Sequence, residues 1–520
     1  MLTTAAPSNQ TLVLTGFLLF IVIALFVSVF AGLDGETPSE FYIGARDLTP
    51  WAGGLALAGS YLSTSVLVTI TGLVAFEGFD GILLTADVLL SLSLLLLLAR
   101  PLRLSEAHTL GDVFALRASG AGPRVAAAVV TLAVTVPLLI VQLVAAGSVT
   151  AALLGFPRHG VQQVCTVLIG VLVVVCGMLS GAKGLTAVQI LAALTVTGAF
   201  TAASVAVLHA FQGDLGALAS AADDGSDHPG RYLRPGGLLG TDGGARLDFI
   251  GTHLMLILGS ACMPHVLIRV YASRDTTTAR RSVRHAVAVV GLVCLSVVVL
   301  GMGAAALIGA RTISHGKPNA DDALLLLAGD LAGGAGTLAG SVLFTAIACA
   351  VFLSVLAVVG GAAVAAAGSI ARDVHRAVVR DGQGTTSRET LVARAAVLLV
   401  GGGGIVVAAL LQGHAAGFLS LLAAAVAATA IAPALVYSLC WKGYNKVGLH
   451  WTVYGGTVTA SVLLVLSPAF SGSPLALFPN LNLACFDHNY AMVVGLPTAS
   501  ALGWAGSVNE RRRGLRALHR

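Results

Sequence analysis

Gly59-Ser60-Tyr61-Leu62-Ser63-Thr64-Ser65 interrupts an apolar run over residues 51–76, and its reading decides the fold. Four Ser or Thr residues follow the glycine within six positions. Such hydroxyls compete with a helix's own ladder by bonding to nearby backbone. A packing face of small residues would have the same composition. A second stretch, Gly259-Ser260-Ala261-Cys262-Met263-Pro264-His265, sits within the apolar run 248–271. Pro264 removes a ladder bond and crowds the preceding turn. Interrupted segments at matching places in two halves of a membrane protein point to a binding site at mid-membrane.

The surrounding chain is built for lipid. Of its 520 residues, 57 % are hydrophobic and only 10 % charged, with mean hydropathy +0.91. Soluble domains carry about 25 % charged residues, so a soluble enzyme, a nucleic-acid binder and a disordered chain are excluded. The seven cysteines show no CxxC spacing, so no metal framework is indicated. Spans of about 20 apolar residues are needed to cross a bilayer, and they must be helical. Thirteen are expected: 12–33, 51–76, 80–100, 124–154, 160–180, 186–211, 248–271, 283–309, 338–371, 391–412, 415–440, 449–467 and 490–507. The fold class is all-α and polytopic. Residues 1–507 read as a single membrane transport domain and 508–520 as a short basic cytoplasmic tail.

Charge sets the orientation. No basic residue precedes Arg46, so the first span is expected to be retained rather than cleaved as a signal peptide. With the N-terminus outside, 23 Lys and Arg fall on the inside and 6 on the outside, as the positive-inside rule requires. The expected localisation is the plasma membrane, N-terminus outside and C-terminus cytoplasmic. The net charge of +5 then faces anionic lipid rather than nucleic acid.

Several segments, in order, resemble the sodium:solute symporter family, and within it the acetate and short monocarboxylate permease branch. They include Phe41-Tyr42-Ile43-Gly44-Ala45-Arg46, Gly54 to Ser63, Thr109-Leu110-Gly111-Asp112-Val113 and Val141-Gln142-Leu143. Lys183-Gly184-Leu185-Thr186-Ala187-Val188-Gln189, Pro264-His265-Val266-Leu267-Ile268-Arg269 and Arg372-Asp373-Val374-His375 follow. The resemblance implies a five-plus-five inverted-repeat transporter fold: one leading helix, repeats over about 51–211 and 248–440, and two trailing helices. It implies a cation site at Gly59, Leu62, Ser354, Ala357 and Val358. Many sodium-coupled relatives carry Ser or Thr at the last two positions, and this chain has neither. Sodium prefers oxygen ligands, so the coupling ion is left open between Na+ and H+. No further cofactor and no metal is expected.

The residues themselves supply further candidates. Tyr61, Thr64, Ser65, Gln142, Ser260 and Cys262 are expected to line the solute. Asp87, well inside a span, is a candidate for proton or cation coupling because an intramembrane carboxylate costs about 2.5–3.5 kcal/mol. His265, directly after Pro264, is a second one; His253, in the outer part of the same span, is a weaker functional candidate with no role assigned to it. Asp112 and Arg117 are a candidate inner gate pair. Gly401-Gly402-Gly403-Gly404 lacks the Lys-Ser/Thr and strand of a nucleotide loop, so close packing is its default. The expected function is secondary active, cation-coupled symport of a small monocarboxylate such as acetate, propionate or pyruvate, not enzymatic turnover. The alternatives are a symporter of the same family for proline, a vitamin or a sugar, and a transporter-fold membrane sensor. The expected partners are the solute, the coupling cation and the lipid bilayer, with no nucleic acid and no obligate protein partner.

Overall fold

The structure is a computed structural model that describes the chain apart from residues 1–9, 33–41, 43, 45, 156–157, 239, 241, 315–322, 335–336, 380–385, 475 and 519–520. The described residues form helices, with one isolated bridge between Ser471 and Phe478. Among the described residues, nine helices are long and apolar enough to cross a bilayer, and two bent pairs raise the number to eleven. Thirteen spans were expected, and two elements account for the difference. The helix His159–Ala210 counts once, although its 52 residues would extend about 78 Å when about 30 Å suffices. Its non-helical point is Gly181, at φ 54°, a left-handed conformation that suits glycine. The helix Lys446–Val465 is not among the eleven, its apolar character diluted by Lys446, His450 and several Gly and Thr.

We label the elements that position the site in chain order. The leading helix α1 is Gln10–Gly32. The first bent pair is α2, Pro50–Tyr61, and α3, Ser65–Glu77. They are followed by α4 (Phe79–Leu104), α5 (Ala121–Leu153) and α6 (His159–Ala210). The second bent pair is α7, Gly243–Ala261, and α8, Pro264–Tyr271. Then come α9 (Thr276–Leu307), α10 (Leu338–Gly368), α11 (Thr386–Leu410) and α12 (Gly417–Cys440, whose middle turn is a π-helix).

Local chemistry explains where these helices start. Thr49 caps α2 through a 3.3 Å bond from the Ala52 amide, with Pro50 in the first turn. Asp275 caps α9 by accepting the Thr278 amide at 2.8 Å.

The centre is α10. From Ile347 to Gly368 every residue is buried, and the sequence there is almost entirely Ala, Gly, Val and Leu. Small residues allow this helix to pack closely on α5 and α6. A Cβ on Gly360 would strike Leu185 of α6. Large apolar side chains point outward on peripheral helices: Leu97 is 74 % exposed and Leu399 76 %. In water such an apolar surface would be unfavourable; lipid is its natural solvent.

The acidic segment that follows α6 packs back on the fold through its described residues. It forms a helix over Leu215–Gly225 and then packs on the α3–α4 junction. The Tyr232 hydroxyl donates to the Val74 carbonyl at 2.6 Å, and the Asp80 carboxylate accepts the Gly236 and Leu238 amides.

Candidate functional site

The first break is a tight turn. Leu62 sits at φ −75°, ψ 77°, and the Ser63 amide donates to the Tyr61 carbonyl. This is an inverse γ-turn, and it bends α2 against α3 by 70°. The Ser63 carbonyl accepts the Leu67 amide at 3.0 Å, and its hydroxyl lies 3.4 Å from the Val66 amide. The hydroxyl cluster therefore restarts the helix, as the sequence suggests. The second break lies at Cys262 and Met263, where Met263 is extended at ψ 130° and Pro264 opens α8. The bend is 41°.

Gln142 of α5 serves the first break directly. Its Oε1 accepts the Thr64 amide at 3.1 Å and the Thr64 hydroxyl at 2.7 Å. An amide N–H can only donate, which fixes which end of the carboxamide faces Thr64. The other end, Nε2, is a buried donor without a partner, and Gln142 is fully buried. Ser65 lies 3.5 Å from Ser420 of α12. Tyr61 turns its hydroxyl to Ser91 and Ser260, with Cys262 and Cys294 nearby, so it braces α4 and α7.

Four of the five residues expected at a cation site, Gly59, Leu62, Ser354 and Ala357, are linked where α2, α6 and α10 converge, and Val358 is buried next to Ala357 on α10. The Ser354 hydroxyl donates to the Leu62 carbonyl. Gly59 packs so tightly on α6 that a Cβ would collide with the Gln189 carbonyl. Gln189 Nε2 donates to the Ala357 carbonyl at 3.3 Å, leaving its buried Oε1 unpartnered. Ala357 and Val358 are buried and offer no side-chain oxygen. The oxygens here are thus backbone carbonyls, the Ser354 hydroxyl and Gln189 Oε1. Gln189 escaped selection as a site residue although its polar side chain in an apolar run was readable.

Asp87 of α4 has a partner that sequence distance conceals. Its Oδ2 lies 2.5 Å from Nδ1 of His253 on α7. His265 is buried against the Ser60 backbone, and its Nδ1 has no partner. Arg269 is buried on α8 and donates to the Thr186 hydroxyl at 2.6 Å.

The expected pair of Asp112 and Arg117 is not formed. Asp112 instead binds Arg124 at 2.8 Å and Arg372 at 3.0 Å, and accepts the His108 amide. Arg117 donates to the Ser438 carbonyl at 3.1 Å. Asp112 lies within the short helix Leu110–Ala115 and Arg117 two positions past its end, and the two meet different neighbours. Arg124 also reaches the buried Asp373 at 3.3 Å, which accepts from Thr109 and Ser369. The cluster ties the segment between α4 and α5 to the continuation of α10. Burial pushes the Asp112 carboxyl up, but Arg372, the His108 amide and Arg124 outweigh it and hold it below the ordinary carboxylate range. Burial, with Arg372 and Arg46 nearby, lowers the His108 imidazole to about 4.

Among the described residues no group of three or more His, Cys, Asp or Glu could hold a metal. The Gly401–Gly404 run divides: Gly401 and Gly404 pack on Val174 and Leu139, while Gly402 and Gly403 face open space.

Comparison with known proteins places this geometry. The Sodium:solute symporter family matches residues 41–456. A monocarboxylic acid transporter of Corynebacterium glutamicum is 35 % identical over 96 % of this chain and 92 % of its own length. An uncharacterized symporter of Bacillus subtilis is 31 % identical over 95 % and 94 %. Among solved structures, a Na+-coupled sialic acid symporter in a substrate-bound outward-open state superposes with TM-score 0.73 at 13 % identity, covering 95 % of this chain and 97 % of its own. Mhp1, a nucleobase-cation-symport-1 family transporter in a closed conformation, gives TM-score 0.53 at 14 % identity over 90 % and 94 %. Both are evidence for the fold alone.

Proposed function

The chain belongs to the sodium:solute symporter family, a family of transporters and not of enzymes; on that premise we propose that it takes up a small monocarboxylate, such as acetate, propionate or pyruvate, with a coupling cation by alternating access. The observation that carries the reading is Gln142. Its Oε1 anchors the start of α3 while Nε2 stays buried without an acceptor. A half-helix start with spare donors suits a small anion. Thr64, Ser65, Ser260 and Cys262 line the same region, and Tyr61 braces it. The likeness to a protein named a monocarboxylic acid transporter supports this solute class.

The cation would sit at Gly59, Leu62 and Ser354, between α2 and α10, beside the buried Ala357 and Val358. One cation with one monoanion moves no net charge and draws only on chemical gradients; a second cation adds the membrane potential. Each tenfold gradient contributes about 1.4 kcal/mol. We place the N-terminus outside and the basic tail in the cytoplasm of a plasma-membrane protein, as the Lys and Arg distribution supports. In that orientation the Asp112, Arg124, Arg372 and Asp373 cluster lies on the cytoplasmic side, where it acts as an inner gate. Residues 1–507 act as one transport domain.

The test is uptake of labelled acetate into vesicles, with sodium or proton gradients imposed separately. Gradient-driven accumulation is expected, with weak competition from proline, a vitamin or a sugar. Gradient-independent flux, or no flux of any monocarboxylate, overturns the proposal.

A further inference from the structure

Asp87 lies about two turns into α4, with 4 % of its surface exposed. A lone carboxylate there would be costly. His253 of α7, 2.5 Å away, allows the pair to share one proton. Other titratable groups on the packed elements face elsewhere: Arg246 of α7 and Arg280, Arg281 and Arg284 of α9 are exposed, and His285 of α9 stacks on Trp51. Glu77 of α3 faces Asp80, Asp227 and His228 beyond the helix start. Asp80, about 10 Å from Asp87 along α4, accepts the Gly236 and Leu238 amides. On α7, Asp248 accepts the Thr252 hydroxyl and the Asn489 amide and lies 3.8 Å from His488. From α9, Cys294 lies beside Tyr61. From α8, His265 and Arg269 lie beyond the Cys262 break, against Ser60 and Thr186.

The dyad shares a face of each of its helices with a residue that contacts the first break. Asp87 and Ser91 are four residues apart on one face of α4. Ser91 is fully buried and bonded to the Tyr61 hydroxyl. His253 and Ser260 are seven apart on one face of α7, and Ser260 also meets Tyr61. Ser91 from α4 and Ser260 from α7 thus both meet Tyr61, the residue before the Leu62 turn, on the helix faces that carry Asp87 and His253.

We propose that Asp87 and His253 form a proton-binding site of the transport cycle, whose occupancy reaches the break at Leu62 through Ser91, Ser260 and Tyr61. This rests on the symport reading. Unloaded, the pair carries one negative charge; loaded with one proton from the outer water, it carries none. The proton leaves to the inner water with the solute. Exchange of the Asp87 charge alters what Ser91 and Tyr61 must solvate, and the bend of α2 against α3 shifts with it.

The experiment compares the wild type with Asp87→Asn and His253→Gln in proteoliposomes with labelled acetate. Proton-driven accumulation is expected to fall at least tenfold in both variants. Acetate exchange without a gradient should continue in Asp87→Asn but lose its dependence on pH. If Asp87→Asn also abolishes exchange, Asp87→Glu decides: recovery of proton-driven accumulation upholds the site, and failure overturns it. Wild type that accumulates acetate under a sodium gradient alone, with the variants unaltered, removes the proton site but leaves the symport reading standing. Absence of any monocarboxylate flux removes the symport reading. In that event infrared titration of the purified protein still decides the site: a carboxylic-acid band that titrates in wild type and is missing in Asp87→Asn supports it, and its absence from wild type overturns it.

Discussion

The Ser354 hydroxyl donates to the Leu62 carbonyl, and this bond fastens the break in the first repeat to the central helix of the second. Both residues are buried, at 0 % and 1 % exposure. A carbonyl at a helix break has lost its ladder partner, so α10 satisfies what α2 cannot. An unsatisfied buried acceptor costs about 1–3 kcal/mol. Ser354→Ala is therefore expected to weaken coupling-cation dependence of uptake by roughly tenfold, read as uptake rate against cation concentration. Unchanged dependence would show that the bond is purely structural.

Gln142 bridges α5 to Thr64 through Oε1 and keeps Nε2 free. Gln142→Glu retains acceptors for Thr64 but replaces the free donor with negative charge. The KM for acetate is expected to rise at least about tenfold, the scale of one lost hydrogen bond to a charged group, read on the protein that reaches the membrane. Gln142→Leu should lose yield as well, because the start of α3 is left uncapped.

Glycine substitutions separate tight packing from open surface. Gly59→Ala would drive a Cβ into the Gln189 carbonyl. Transport is expected to fall below about a tenth of wild type, with lower thermal stability in detergent, since overpacking costs about 1–3 kcal/mol. Gly402→Ala meets open space and should be neutral or gain up to about 1 kcal/mol in helix propensity. Equal effects from the two substitutions would contradict the packing described.

Acid should loosen the cluster at Asp112 in two stages. His108 is lowered to about 4 by burial, Arg372 and Arg46. Its unfolded imidazole binds a proton near pH 6.5 and the folded one does not. Stability is thus full above pH 6.5 and falls as the pH drops from there towards about 4. The Asp112 carboxyl is also depressed, so its contribution is present above its unfolded pKa of about 3.9 and is lost as the pH falls further. Melting temperature of the purified protein against pH measures this. His108→Asn is expected to flatten the fall between pH 6.5 and about 4 and leave the lower one.

Much of the fold was legible because membrane spans advertise themselves locally. A run such as 338–371 is apolar regardless of what packs on it, and Pro264 disrupts any helix that contains it. The break at Leu62 was legible for the same reason, since Ser60 and Ser63 beside a glycine bond to their own backbone. The partners were not legible. Gln142 showed its polarity, but not that one end of it would engage Thr64 while the other stayed free. Asp112 showed its charge, but its cations come from Arg124 and from Arg372, 260 positions away.

The sequence by itself determined where the chain is apolar and where its helices break. These are short-range properties, set by side-chain transfer energies and backbone sterics within a few residues. The tertiary structure alone decided that Asp87 meets His253 and that Ser354 meets Leu62. Such pairs depend on how helices rotate and cross, and in a dry interior a polar atom takes whichever partner the packing brings within about 3 Å.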